Sequence, residues 1–224
     1  MNHLYFIGAH PDDLIGSAAL ALKASRRTGL FELHVMDFTR GELGLAGRFS
    51  EEETAKIRTG EEYNACSILG IEPVFLGERN NGKACAGRDI CESIAAIFRA
   101  NPPRAVITHW PVDTHIDHIM CYAAVCKGLH FAQFQPEMYF FEESIQTRSM
   151  PVRYYLPFDQ EIMDLKTKLV RCYASQNDRD EMAQRKILEA RYHGWQCGKP
   201  YAEPYGSALP FLPGQTSLFT EMAD

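Results

Sequence analysis

HLYFIGAHPDDLIGSAALALKASRR, residues 3–27, decides the fold class. Residues 3–9 form an apolar run that ends around Gly8, and residues 15–27 carry the small and apolar side chains of a close-packed helix. The unit is strand, polar loop, helix. It recurs down the chain: a strand at 31–39 precedes a helix at 51–69, where Ser50 and Glu53 make a capping-box signature. A strand at 73–76 leads to a helix near 89–100, and a strand at 102–109 to a helix at 117–129. Late strands are expected at 137–141 and 152–156, and amphipathic helices at 159–173 and 178–193. This alternation predicts an α/β fold, a Rossmann-like, mostly parallel sheet with helices on both faces. Repeats, low-complexity tracts and linkers are absent, so residues 1–224 are expected to form one domain. The stretch 201–219 mixes Pro, Gly and aromatic residues without periodicity and reads as a loop over a site or a subunit contact.

The chain has 224 residues, with 29 acidic against 23 basic side chains, a net charge of −6, and 46% hydrophobic residues. That composition excludes a disordered or fibrous protein, and the mild acidity argues against a nucleic-acid partner. No apolar run reaches transmembrane length, and Met1 leads almost directly into the first strand. A soluble, cytoplasmic protein is expected. Seven cysteines without a CxxC pair point to buried thiols rather than to disulfides or a zinc knuckle.

In an open parallel sheet the ligand crevice lies beyond the carboxyl ends of the strands. Two loops there stand out: Ala9-His10-Pro11-Asp12-Asp13 after the first strand, and Asp113-Thr114-His115-Ile116-Asp117-His118 after the 102–109 strand. The first is no dinucleotide cradle, since it places an imidazole and two anions where pyrophosphate needs glycines. Two aspartates opening a helix are ordinary capping residues, but capping does not call for His10 and Pro11. His10 and Asp13 are placed to converge on one ion while Asp12 points elsewhere. Together with His118 they supply two imidazoles and one carboxylate, the open three-ligand set of a catalytic zinc site. Iron(II) and other divalent ions accept the same donors.

These motifs resemble the PIG-L/LmbE-type zinc-dependent N-deacetylases, which carry an AHPDD loop after the first strand and a later D-x-H-x-D-H loop. Besides residues 9–13 and 113–118, the resemblance takes in TRGELG at 39–44, Arg58, Glu62, CSILGI at 66–71 and Ala174-Ser175-Gln176. It continues through Arg191, Gly194 and Tyr201-Ala202-Glu203. It implies that His10, Asp13 and His118 ligate zinc and that Asp12 is the general base. It also implies that His115, oriented by Asp117, is a positively charged partner of the oxyanion. The implied reaction removes an N-acetyl or other N-acyl group from an amino-sugar conjugate such as an N-acetylglucosaminyl compound, releasing acetate and an amine. The substrate partner is a small molecule, and oligomers are common in the family. Two positions depart from the pattern: Leu14 stands where Glu is usual, and Ile116 where Pro is usual.

Among further candidates, Glu42 either faces the substrate or sits in an ordinary turn. Arg58 either reaches a substrate group across the crevice or pairs on the charged helix face, and Arg48 is a candidate clamp for an anionic aglycone. Asp113 either shapes its loop or holds sugar hydroxyls. His3, His34, His109, His130 and His193 lack a partner at useful spacing and read as structural or exposed. Tyr154, Tyr155, Tyr201 and Tyr205 line a sugar pocket or, more commonly for such positions, pack half-buried. Two rival functions fit parts of the pattern. A non-haem iron oxygenase would use His10, Asp12 and a distant histidine, but usually sits on an all-β barrel. A non-catalytic sugar- or nucleotide-binding module would have no use for both Asp12 and His115.

Overall fold

A computed structural model of the protein describes residues 1–78, 83–208 and 217–222. Its frame is a seven-stranded sheet in the order β3-β2-β1-β4-β5-β7-β6. The strands are β1 (Asn2–Gly8), β2 (Phe31–Thr39), β3 (Val74–Glu78), β4 (Pro103–His109), β5 (Glu137–Phe141), β6 (Tyr154–Phe158) and β7 (Tyr201–Ser207). The first five run parallel, and β7 pairs antiparallel with both β5 and β6. The helices are α1 (Ala18–Ser25), α2 (Glu51–Leu69), α3 (Arg88–Ala100), α4 (Ile116–Ala132), α5 (Gln160–Val170), α6 (Glu181–Gln196) and the single turn α7 (Leu218–Glu221).

Both faces of the sheet are covered because its central strands alternate between two buried sets. Leu4, Phe6, Leu33, Val35, Ala105 and Ile107 join the core that includes α1, α2, α5 and α6. Tyr5, Ile7, Met36, Phe38 and Val106 join the core that includes α3 and α4. The capping box at α2 forms as expected: Ser50 Oγ accepts from Glu53 N–H at 3.2 Å, and Ser50 N–H donates to Glu53 Oε2 at 3.0 Å. No described helix is long and apolar enough to cross a membrane.

Three expectations are corrected. The first helix opens at Ala18, after a 3-10 turn over Asp13–Ser17, because Ser17 has non-helical torsions. Its early amides are met from afar: Glu203 accepts from Ala19 N–H at 2.7 Å and Leu20 N–H at 3.1 Å, and Lys166 pairs with the same carboxylate at 2.5 Å. The helix expected from 178 starts at Glu181, since Arg179 and Asp180 have φ of 49° and 62°, which interrupts the helical run. The stretch 201–219 begins as a strand, not a loop. Pro204 is tolerated there because β7 meets β5 only through Gly206 and Ser207, so Pro204 sits where the strand is paired on one side only. Residues 209–216 of that stretch lie outside the described residues. Beyond them, Phe219 packs against Tyr139, Tyr154 and Tyr205, with ring centroids 4.6–5.0 Å apart.

Candidate active site

The polar loops gather at the carboxyl ends of the parallel strands. His10 to Asp13 leave β1, Thr39 to Gly44 leave β2, Asp113 to His118 link β4 to α4, and Glu143 to Gln146 follow β5. They surround a cleft of roughly 300 Å³ whose lining includes His10, Asp12, Asp13, Arg58, His115, His118 and Glu143.

Asp13 is held from one side. Its Oδ2 accepts from Ala9 N–H at 2.7 Å and His10 N–H at 2.8 Å, and lies 3.0 Å from His109 Nε2. Its Oδ1 faces His118 Nε2 at 3.8 Å, and His10 Nδ1 lies 3.7 Å from Oδ2. The ligating atoms of His10, Asp13 and His118 all fall within 4.8 Å of one another, and all three residues are buried. Each imidazole also has a carboxylate close to its far nitrogen. Asp117 Oδ2 lies 3.2 Å from His10 Nε2, and Asp113 Oδ1 lies 3.2 Å from His118 Nδ1. Carboxylate-backed imidazoles converging with a carboxylate fit a divalent metal, because the outer partners fix which ring nitrogen turns inward.

The electrostatics follow from burial and proximity. Asp13 is buried, which opposes its charge, but His109, His118 and His10 outweigh this and hold its carboxyl well below the usual range. Burial would depress His118, yet Asp13, Asp113 and Glu143 push it up to about 9. Burial and the neighbouring His118 push His109 down to about 4, and its Nε2 lies 3.0 Å from both Asp13 Oδ2 and the Ala9 N–H nitrogen.

Asp12 stands apart from this cluster. It caps the 3-10 turn with φ 109°, a conformation an aspartate adopts only when neighbours impose it. Its N–H donates to Glu62 Oε2 at 3.1 Å, and its Oδ1 accepts from Arg58 Nη2 at 2.8 Å. Arg58 also donates to the Pro11 carbonyl and is buried. The glycines of TRGELG make room for it: a Cβ at Gly41 or Gly44 would overlap the guanidinium. Burial lifts the Asp12 carboxyl above its ordinary range; Arg58 opposes the shift and Asp13 reinforces it.

The structure brings His10, Asp12, Asp13, Arg58, His115 and His118 to one cleft but sends other candidates elsewhere. Asp117 faces His10 with its carboxylate, and its backbone N–H donates to His115 Nδ1 at 3.2 Å. Asp113 backs His118 and accepts from His115 N–H at 2.7 Å, away from the cleft lining. Glu42 is buried, with Oε1 3.4 Å from Arg40 Nε, and Arg48 is exposed; neither lines the cleft. Tyr205 and Tyr201 serve packing, their hydroxyls donating to Glu203 and Gln160. Four histidines read as partnerless have partners: His109 on Asp13, His193 with Nε2 3.0 Å from Glu142, and His3 and His34 on each other at 3.0 Å.

Sequence reasoning missed His109 as a support and Glu143 as a cleft residue. Both sit where the strand-end rule points, His109 closing β4 and Glu143 two residues beyond β5. Burial, with Asp13 and Asp12 adding and Lys186 opposing, pushes Glu143 up to about 8. For His109 a direct consequence follows. His109→Ala removes one of three groups that hold Asp13 Oδ2, and metal affinity is expected to fall about 10–100-fold. Competition against a chromophoric chelator measures it, and an unchanged affinity would show that the two backbone donors suffice.

The fold and the carboxylate-backed cluster together define a metal-site hydrolase scaffold. The chain belongs to the PIG-L family, GlcNAc-PI de-N-acetylase, whose model matches residues 5–128. No curated protein matches it. Among solved structures it is similar to the conserved protein TT1542 from Thermus thermophilus, at 24% identity and a TM-score of 0.76, covering 97% of this chain and 100% of that one. It is similar to N,N'-diacetylchitobiose deacetylase from Pyrococcus horikoshii at 20% identity and a TM-score of 0.76, covering 92% and 84%. It is also similar to GalB, the 4-carboxy-2-hydroxymuconate hydratase from Pseudomonas putida, at 21% identity and a TM-score of 0.81, covering 97% and 100%. At these identities the likeness establishes the fold.

Proposed function

We propose that the protein is a zinc-dependent N-deacetylase acting on an N-acetylated amino sugar or a closely related N-acyl compound. One observation carries the reading: His10, Asp13 and His118 converge as a ligand set while the adjacent Asp12 is held out of it by Arg58. Neighbouring carboxylates thereby acquire different tasks. The same division counts against an iron oxygenase triad, which needs Asp12 as the ligand.

A divalent ion held by the three ligands would supply Lewis acidity, polarising the amide carbonyl and making water acidic enough to attack near neutral pH. The chain's own groups do the rest. Asp12, with its raised carboxyl, takes the proton of the attacking water and returns it to the departing nitrogen as the C–N bond breaks. Arg58 fixes the position of that carboxylate. His115 accepts the Asp117 N–H at Nδ1, so its proton resides on Nε2. Burial and the neighbouring His10 and His118 hold it below its ordinary value, and its Nε2–H serves as the donor to the developing oxyanion. The amino-sugar choice is supported by the family's GlcNAc-PI description and by the diacetylchitobiose deacetylase with the same fold.

The test is acetate release from a panel of N-acetylglucosamine conjugates. Zinc-loaded protein is expected to release acetate and a primary amine in equal amounts, with loss on chelation and recovery on adding zinc. The same fold carries a hydratase. Water addition to an unsaturated acid, with no acetate released from any N-acyl compound, would reassign the site.

A further inference from the structure

At the opposite end of the sheet, the register of β1 against β2 places His3 beside Glu32 and Tyr5 beside His34. Side chains two apart share a face, so His3, Glu32 and His34 all project from the α3/α4 side. His3 Nδ1 and His34 Nε2 approach to 3.0 Å. Glu32 spans the pair, with Oε2 3.7 Å from His3 Nδ1 and Oε1 3.9 Å from His34 Nε2. We propose that His3, Glu32 and His34 form a second metal site, for zinc or another borderline divalent transition ion, separate from the catalytic cleft.

Dimensions favour an ion. Bonds of about 2.0–2.1 Å in a tetrahedron put neighbouring donors about 3.3 Å apart; the two ring nitrogens, 3.0 Å apart, lie just below that value, and each has a different Glu32 oxygen at 3.7 or 3.9 Å, just above it. The two carboxylate–imidazole distances match the 3.7 and 3.8 Å carboxylate–imidazole distances of the His10, Asp13, His118 cluster. Without an ion, the facing ring nitrogens share one proton; a cation replaces it and uses both lone pairs. The donor set of two nitrogens and one oxygen suits zinc, cobalt, nickel or copper and not calcium or magnesium.

The site is pre-organised and open to water. Tyr5 stacks on His34 with centroids 4.5 Å apart at 14°, and Tyr5 is itself fixed by a T-shaped contact with Phe98 and by donating its hydroxyl to Asn101 O at 2.8 Å. The side chains of His3 and His34 are 16% and 21% exposed and that of Glu32 is 48% exposed, so water can complete the coordination. About 17 Å of strand lies between His3 and Gly8, beyond which the catalytic loop begins. Occupancy here clamps β1 to β2 without touching the reaction.

Zinc stoichiometry of the full chain, measured by elemental analysis after equilibration in zinc-buffered solution, tests the proposal. Wild type is expected to hold two ions. His34→Gln and Glu32→Gln are each expected to hold one, with second-site affinity reduced at least about 10–100-fold and acetate release unchanged. His118→Ala is expected to keep the second-site ion while losing the catalytic one, which separates this proposal from the reading of the cleft. Circular dichroism verifies folding, and Glu32→Gln, at an exposed side chain, carries the test if His34→Gln does not fold. A single ion in wild type, or a second ion that persists undiminished in both strand variants, overturns it.

Discussion

Replacing Asp12 with asparagine is expected to leave the metal content at the catalytic site unchanged and to cut turnover about 10²–10⁴-fold, the range typical for loss of a general base. The amide keeps the size of the side chain and an oxygen for Arg58, so the turn survives, but it cannot take a proton. Asn is the better substitution than Ala because Arg58 is buried beside Asp12. Both substitutions remove the charge that offsets Arg58, and Ala also removes its hydrogen-bond acceptor, so Ala approaches the cost of about 3–5 kcal/mol for a broken buried pair. Asp12→Ala is therefore expected to retain zinc and lose turnover as well, with a lower denaturation midpoint. Metal analysis and initial rates on the same preparations separate the effects. Loss of metal in Asp12→Asn together with retention in Asp13→Asn would put Asp12 in the ligand set and break the division of labour.

His118→Ala is expected to abolish catalytic metal binding, and activity with it, because one of three protein ligands is gone and Asp13 loses the group that faces its Oδ1. The wild-type affinity carries a pH signature from the same residue. The proton on His118 is held up to about 9, and an ion must displace it. Below that value the His118 proton competes, so affinity falls about tenfold for each pH unit of acidification and levels off above it. Chelator competition across the neutral and alkaline range reads both slope and plateau. A flat profile through neutrality would exclude His118 as the displaced proton's source.

The fold was legible where one residue period ran uninterrupted. Alternation along β1 and β2 and the capping box at Ser50 involve neighbours in sequence, and local sterics and hydrogen bonding decide them. β7 was not legible, because Pro204 and Gly206 carry the signature of a turn. Its strand character comes from pairing with β6 and from Glu203 meeting the amides of α1 from 183 and 184 residues away. The two polar loops were legible because His10, Asp12 and Asp13 share one tight turn at a strand end, with His115 and His118 on another. The partners of each side chain were not. Asp117 is two residues from His115 yet its carboxylate meets His10, 107 positions away, from the first turn of α4.

By itself the sequence determined the α/β layering, the two loops at the strand ends and the residue types that a metal hydrolase requires, because each depends on spacing over a few residues. Only the tertiary structure decided which carboxylate backs which imidazole and that His109 holds Asp13. It alone also decided that His3, Glu32 and His34 meet. The contacts of His3 with His34, Asp13 with His109 and His10 with Asp117 join residues 31, 96 and 107 positions apart. Only sheet register and packing bring such residues together.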